Sequence, residues 1–399
     1  MLGAMIGDIV GSRFEFNNHR SKNFELFTSE SFVTDDSIMT LAIAKAIIET
    51  EKVFKSKNKE YYALLEENTV KYMQEVGRKY PDCGYGGRFL EWMFGDTPKP
   101  YHSYGNGAAM RVSAVSYIAK NEEEVKLLSQ SVTGVTHNHI EGIKGAEAVA
   151  LAIFLSRKGY IKRDIKARIE KDYYKLNFTI NSIRETYEFN ETCQDTVPQA
   201  LQAFFESNSF EDAIRTAISV GGDSDTLAAI TGSIAEAYYG VPDYLEQEVL
   251  TYLDDYLKEL YREWTEIITK NNGISKYHVV TKYISLFENN TLSDDNYDIY
   301  TLPTEYHDFF NDLWSVKHVH IATTNYNILK NLGIQWKDTD IKNLEISKLN
   351  EYDLIYIMTR LHSTERIHGG TVVYFIKNGY YLAWLQRLKE ISDYKLVGG

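Results

Sequence analysis

Asp223-Ser-Asp-Thr-Leu-Ala-Ala-Ile-Thr-Gly-Ser-Ile-Ala-Glu-Ala-Tyr-Tyr239 is the stretch on which the fold turns. From Leu227 to Tyr239 the apolar residues recur three and four apart, which predicts a helix. Ala228, Ala229, Gly232 and Ala235 keep that helix slim, as suits one packed closely in the middle of a bundle. Its head carries the carboxylates of Asp223 and Asp225 with the hydroxyls of Ser224 and Thr226. The same pattern occurs near the start, where Thr34-Asp35-Asp36 opens an apolar-periodic run from Ile38 to Ile48.

Helical periodicity dominates residues 1 to about 270. In Glu141 to Leu155, residues Ile143, Ala146, Val149, Ala150, Ile153 and Phe154 share a broad apolar side, and Gly142 and Gly145 allow a neighbour to approach closely. Similar patterns predict helices over Tyr61 to Val76, Met110 to Ile118, Pro198 to Phe205, Phe210 to Ile218 and Tyr244 to Trp264. Strand-like alternation is scarce here, so the expected class is all-α. The texture changes after Lys270-Asn271-Asn272-Gly273, and Glu288 to Asp298 is rich in Asn, Asp, Thr and Ser. This places a boundary near residue 273, with a first domain over residues 1–273 and a smaller, mainly helical one over residues 274–399. Within the second, Asp353 to Leu361 and Tyr380 to Ile391 read as amphipathic helices, and Val316 to Ile321 and Thr371 to Phe375 as a strand or two.

Bulk properties exclude several classes. A chain of 399 residues can bury a sizeable core. Its net charge of -13 argues against a general nucleic-acid-binding surface. Cys83 and Cys193 are too few for a disulfide framework or a thiolate metal site, which fits a reducing, cytoplasmic setting. The first apolar residues have no basic flank and are interrupted by Asp8, so neither a signal peptide nor a membrane span is expected. Oligomeric state leaves no mark on the sequence.

The two acidic clusters carry the chemistry. Thr, Asp and Ser before an apolar run are ordinary helix caps. Capping needs one such side chain per helix, however, and the adjacent carboxylates of Asp35 and Asp36 repel each other unless a cation lies between them. Oxygen-only donor sets suit hard divalent cations such as Mg²⁺ or Mn²⁺ better than zinc. If the fold unites the clusters, they form a site for two metal ions.

Several blocks in order now resemble a known family. Gly3-Ala-Met-Ile-Gly-Asp8-Ile-Val-Gly11-Ser-Arg-Phe-Glu15-Phe, Thr34-Asp35-Asp36-Ser37, Gly105-Asn106-Gly107-Ala-Ala-Met110-Arg111 and Gly221-Gly-Asp223-Ser-Asp225-Thr226 are similar to the signature blocks of the ADP-ribosylglycohydrolases, of the dinitrogenase-reductase-activating type. The resemblance extends through Gly84-Tyr85-Gly86-Gly87 with Trp92 and through Thr136-His137-Asn-His139-Ile-Glu141-Gly-Ile-Lys-Gly145, and covers roughly residues 1 to 265. It implies an orthogonal multi-helix bundle with two Mg²⁺ or Mn²⁺ ions in a cleft. The implied metal ligands are Thr34, Asp35, Asp36, Asp223, Asp225 and Thr226, the residues that the clusters suggest on chemical grounds. Glu15, Asp35, Asp36 and Asp225 are the implied catalytic residues. Gly105, Asn106, Gly107, Met110, His137, His139 and Ser224 are the implied contacts to ADP-ribose. Ser37 stands where the family often has threonine, and Ala114 and Ile140 replace common prolines; these departures bear on loop stiffness and substrate preference.

The resemblance thus implies hydrolysis of an ADP-ribosyl bond at the distal ribose, with a protein side chain such as arginine as the leading target. An ADP-ribosylated nucleobase or small molecule is the alternative substrate, and an ADP-ribose-binding protein without activity is the alternative function. The tail from Asp353 through Arg366-Ile-His368-Gly-Gly370 to Leu388 resembles a small bacterial domain of unknown function. His318, His320, His362 and His368 read there as ordinary histidines, and Tyr352, Tyr356, Tyr374 and Trp384 as core. The expected role of this unit is selection of the target or covering of the cleft.

Overall fold

The computed structural model describes residues 1–54, 56–271, 277–289, 292, 300–320, 341–365 and 370–398. The protein is all-α. Among the described residues the sole β feature is an isolated antiparallel bridge between Gly105 and Thr192. No described helix is long and apolar enough to cross a membrane. The chain divides into two compact units, Met1–Asn272 and Gly273–Gly399.

The first unit is built around a helix pair. Helix α1 (Leu2–Gly11) is buried along its whole length, and α2 (Asp35–Val53) follows a long loop. Then come α3 (Lys59–Gly77), α4 (Gly87–Phe94), the single turns α5 (Gly107–Met110) and α6 (Val115–Ile118), α7 (Glu122–Gly134), α8 (Ile140–Arg157), α9 (Lys162–Asp172) and the turn α10 (Ile180–Ile183). The unit closes with α11 (Cys193–Glu206), α12 (Phe210–Ile218), α13 (Ser224–Tyr239), α14 (Asp243–Tyr252) and α15 (Asp255–Asn271). Glycines four apart on α1 let it lie against α13 almost backbone to backbone. A Cβ on Gly3 would fall 2.1 Å from the Gly232 carbonyl oxygen, one on Gly7 2.0 Å from that of Ala228, and one on Gly11 2.5 Å from Asp225 Cα. The small residues of α13 therefore serve the close packing that the sequence predicts. Leu227, Ile230 and Ile234 on the same helix are fully buried, each contributing about 1.5–3 kcal/mol by leaving water.

Close approach also holds at α8, where a Cβ on Gly142 would meet the Ser103 carbonyl oxygen at 2.8 Å and one on Gly145 the Cys193 sulfur at 2.6 Å. Three expected helices of this unit differ. Met110 to Ile118 is two single turns broken at Arg111–Ala114, because Arg111 bonds Thr136 while Val112 and Ala114 are buried in irregular backbone. Apolar spacing there reflects burial on all sides rather than one helix face. Tyr244 to Trp264 is likewise broken, since Asp254 caps a new helix by accepting from Leu257 N at 2.9 Å. The helix expected from Pro198 begins at Cys193, so Pro198 lies inside it; the buried face of Cys193, Val197 and Leu201 outweighs the forgone backbone bond.

In the second unit the expected strands are helical. Val316 to His320 ends a helix over Thr304–His320 whose Phe309, Leu313 and Val316 are buried at helical spacing, and Ile321 lies outside the described residues. Thr371 to Phe375 belongs to the helix Thr371–Lys377, despite its β-branched start. Glu365 overrides that preference by accepting from the backbone N–H groups of Gly370 and Val372. Helices over Glu351–Thr364 and Tyr380–Gly398 match the amphipathic runs. Trp384 is core as expected, but Tyr374 is exposed with Lys342 over its ring at 4.0 Å. Tyr352 and Tyr356 are half-buried. His362 accepts from Trp314 Nε1 at 3.0 Å, an ordinary structural contact, and the side chains of His318 and His320 and all of His368 lie outside the described residues.

Candidate active site

Asp8 is the one charged residue on α1, and it is fully buried. Its carboxylate accepts from Thr34 Oγ1 at 2.6 Å, from Thr34 N at 3.2 Å and from Ser37 N at 3.1 Å. An α1 side chain thereby caps α2, with burial pushing the Asp8 carboxyl up to about 6. Thr34 in turn accepts from Asp36 N at 3.3 Å, and Asp35 N donates to the Cys83 carbonyl at 2.8 Å. These bonds fix the first turn of α2 and the direction of its two carboxylates.

The second cluster arrives from α13, held beside α1 by the glycine contacts. Thr226 Oγ1 donates to Asp36 Oδ2 at 3.2 Å, a direct bond between the clusters across 190 positions of sequence. Asn106 Nδ2 donates to Asp223 Oδ2 at 2.7 Å and brings in the glycine-rich segment. Glu15 follows the short turn Ser12–Phe14 at the end of α1. One oxygen from each of Glu15, Asp223 and Asp225 lies within 4.8 Å of the others.

Charge in this cluster is poorly compensated. Burial, then the neighbouring carboxylates, hold Asp35, Asp36 and Asp225 well above the usual aspartate range. Burial also raises Asp223 against its hydrogen bonds, and burial followed by the charge of Asp223 pushes Glu15 up to about 7. Asp36 Oδ1 is buried without a hydrogen-bond partner. An orphaned carboxylate oxygen among mutually repelling acids is what a divalent cation would satisfy, and an all-oxygen donor set fits a hard one. The residues present fit a metal group.

The cluster forms one wall of a cavity of about 280 Å³. Gly105, Asn106, Gly107 and Met110 form another, tied to the next segment by Asn106 N to Glu191 O at 2.7 Å and Cys193 N to Tyr104 O at 3.0 Å. A Cβ on Gly105 or Gly107 would reach only ordinary contact with His137 Nε2, at 3.4 and 3.5 Å. The protein itself leaves room for a side chain there, so bare backbone at this loop serves whatever enters the cavity. His137 lines the cavity too. Its Nδ1 lies 2.7 Å from Thr136 Oγ1 and 3.3 Å from Arg111 Nη2, and burial followed by the Arg111 charge keeps the ring neutral. Arg111 is buried, lines the same cavity and donates to Thr136 Oγ1 at 2.6 Å. Burial pulls its guanidinium down to about 10, so it stays charged at neutral pH.

Most of the residues singled out from sequence therefore meet at one place: Glu15, Asp35, Asp36, Asp223, Asp225 and Thr226 with Gly105, Asn106, Gly107, Met110 and His137. Thr34, Ser224 and His139 are not in the cavity lining. The Thr34 hydroxyl is committed to Asp8, and that of Ser224 turns back to the Gly222 carbonyl at 3.2 Å. His139 caps α8, accepting from Glu141 N at 3.1 Å, with its ring 4.7 Å from that of His102 and 5.1 Å from that of Tyr104. Sequence reasoning gave no role to Asp8 or Arg111, although each is a lone charge inside an apolar run. Tyr101, Phe89, Phe189 and Glu191 also line the cavity, and the last two come from a loop without periodicity.

Fold and site together define a helical protein that gathers carboxylates from two helix N-termini beside a glycine-rich loop. Residues 1–275 match the family model described as ADP-ribosylglycohydrolase, so the chain belongs to the ADP-ribosylglycohydrolase family, a family of hydrolases. It is 25% identical to the mouse (Mus musculus) ADP-ribosylhydrolase ARH3, over 60% of this chain and 83% of that protein. It is 26% identical to the ADP-ribosylarginine hydrolase Tri1 of Pseudomonas putida (strain GB-1), over 62% of this chain and 72% of that one. The ADP-ribosyl-[dinitrogen reductase] glycohydrolase of Rhodospirillum rubrum is 27% identical, over 61% and 85%.

Proposed function

We propose that this protein is a metal-dependent hydrolase that releases ADP-ribose from an ADP-ribosylated target by cleaving the glycosidic bond at the distal ribose. The observation that carries the reading is the buried Asp36 Oδ1, orphaned among converging carboxylates in the same cavity as the glycine-rich loop and Arg111. Asp35, Asp36, Asp223, Asp225 and Thr226 would hold two divalent cations, Mg²⁺ or Mn²⁺, with Thr34 positioned behind them through its bond to Asp8. Such ions, when bound, orient vicinal ribose hydroxyls and make a water more acidic.

The chain's own residues supply the rest. The open space over the Cα atoms of Gly105 and Gly107 admits close approach by a diphosphate, and the Arg111 charge favours that anion. In the hydrolysis the bond from the anomeric carbon to its leaving nitrogen or oxygen breaks and the oxygen of water bonds to that carbon. One water proton ends on the leaving group, through a transition state of oxocarbenium character. Glu15, at about 7 before any cation binds, is suited to pass that proton. The comparisons support the sugar side most directly, since each relative quoted above has an ADP-ribosyl compound in its name.

The test is release of free ADP-ribose from arginine-, serine- and nucleobase-linked substrates with Mg²⁺, with Mn²⁺ and with EDTA. Metal-dependent release from one linkage supports the reading and names the leaving group. Tight ADP-ribose binding without release from any linkage overturns it in favour of a binding protein.

A further inference from the structure

Arg111 is a cation in the core, 1% exposed. Its Nη2 serves Thr136 Oγ1 and lies against His137 Nδ1, and its Nε is buried with no hydrogen-bond partner. Asp35 acts on it through space, without a bond. A guanidinium buried without a bonded carboxylate is expensive, so it needs a task that a neutral side chain of the same size would not perform.

The hydrogen bonds around His137 define that task. Thr136 Oγ1 already accepts from Arg111 Nη2 at 2.6 Å, so what it offers His137 Nδ1 across 2.7 Å is its own proton; the other acceptor in its reach, the Thr133 carbonyl, is at 3.4 Å. Arg111 Nη2, 3.3 Å from the same Nδ1, has only protons to present. A proton on Nδ1 would face that N–H, so the neutral ring carries its proton on Nε2. All hydrogen bonds of the ring are made at Nδ1, which leaves the Nε2 proton to the cavity that His137 lines. Nε2 stands over the bare strip of the glycine-rich loop, where a Cβ on Gly105 would lie 3.4 Å from it and one on Gly107 3.5 Å. The charged and titratable groups facing the ring are Arg111, Arg88 and Tyr101, the last with its ring 6.0 Å away. Both charges are positive, and neither favours a second proton.

Resting on the hydrolase reading above, we propose that Arg111 is a positioning residue that acts through His137: with Thr136 it fixes the neutral ring as the Nε2–H tautomer and aims that N–H at an acceptor oxygen of the ADP-ribose in the cavity. An imidazole free to choose would spend part of its population with Nε2 bare, and its lone pair would then repel that oxygen. The fixed ring is a donor of constant charge and direction across the neutral pH range.

The experiment reads the tautomer by NMR of isotope-labelled histidine ring nitrogens in the full chain without ligand, the His137 signals being assigned by their loss in His137→Gln. Wild type should show a protonated Nε2 and a bare Nδ1, unchanged from about pH 5.5 to about pH 8. In Arg111→Met the same signals should report mixed tautomers or titrate within that window, and the Kd for ADP-ribose by calorimetry should rise about tenfold. Glutamine carries an amide donor that needs no tautomer. In the His137→Gln background, Arg111→Met should therefore cost about threefold or less, the remainder that its charge exerts at a distance. A proton on Nδ1 in wild type, a titration of His137 within the window in wild type, or equal losses from Arg111→Met in both backgrounds would each overturn the proposal while leaving the hydrolase reading intact. The wild-type spectrum decides even where Arg111→Met does not fold. A wild type that binds no ADP-ribose would instead overturn the hydrolase reading, and the role of Arg111 with it.

Discussion

Replacing Gly7 by alanine adds one methyl group where the structure has no space for it. The new Cβ would lie 2.0 Å from the Ala228 carbonyl oxygen, 2.2 Å from its carbon and 2.5 Å from Ala229 N. Non-bonded carbons sit roughly 3.5–4 Å from their neighbours, so α1 and α13 must part by on the order of 1 Å. No side chain can yield, because every clashing atom is backbone. Overpacking of this kind costs about 1–3 kcal/mol, and in a unit of this size each kcal/mol lowers the melting temperature by roughly 2–4 °C. The expected loss is therefore about 2–12 °C in a calorimetric or fluorescence melt. Function should suffer more, since α1 carries Asp8, which holds Thr34, while α13 carries Asp225. A displacement near 1 Å in a catalytic arrangement costs on the order of 100-fold. The assay is metal-dependent release of ADP-ribose beside the melt, with Gly134→Ala as control. Gly134 ends α7 with no atom within 4 Å of an added Cβ, so that variant should melt at or slightly above wild type. If Gly7→Ala melted within about 1 °C of wild type and kept its kcat/KM, the claim that backbone contact between these helices sets the site would be refuted.

Asp36→Asn keeps the shape but removes charge at the orphaned oxygen, so Mg²⁺ or Mn²⁺ affinity by titration calorimetry should fall at least about tenfold with little change in far-UV circular dichroism. Raised carboxyls give the metal-free protein a definite pH response. Glu15 binds protons more tightly folded, at about 7, than its ordinary 4.5, and the cluster aspartates are raised in the same direction. The folded state then holds more protons than the unfolded one between these values, so stability falls as pH rises from about 4.5 to about 7. Melts in EDTA should show that decline, Mg²⁺ should reduce it, and a flat EDTA profile would contradict it. Arg111→Met removes the bond to Thr136 and the cavity's buried cation; ADP-ribose affinity should fall about tenfold or more, and unchanged affinity would deny Arg111 a part in holding the anion. A chain ending at Asn272 tests the second unit: retained cleavage of a small arginine conjugate with reduced cleavage of a protein target would support target selection, and equal rates on both would remove that role.

The helical class was legible because burial on one or more faces leaves a period of three and four, as in Leu227 to Tyr239. Breaks at Arg111–Ala114 and at Asp254 were not, because segments buried on all sides keep an apolar pattern whatever the backbone does. Among site residues, the paired aspartates stood out since adjacent carboxylates ask for a partner beyond a cap. Ser224 and His139 sit inside the right motifs, yet motif membership does not say which way a side chain turns; one bonds its own turn and the other caps a helix. Asp8 was readable in principle as a charge no buried helix would keep unemployed. Phe189 and Glu191 were not, because their positions depend on a single loop tied to the glycine-rich segment by backbone bonds.

Helix α1 also bears on how the protein comes to exist. Buried on every side, it has no polar face with which to persist alone in water, and its seat on α13 is made of residues that follow it by most of the first unit. During synthesis the N-terminal segment must therefore wait, unsatisfied, until Tyr239 has left the ribosome. Closing so long a loop is slow, and the waiting segment is the part of the chain most in need of shielding. Nascent chains released before that point would lack any organised acidic centre, so translation arrest anywhere upstream of α13 should yield material that chaperones hold and that binds no cation.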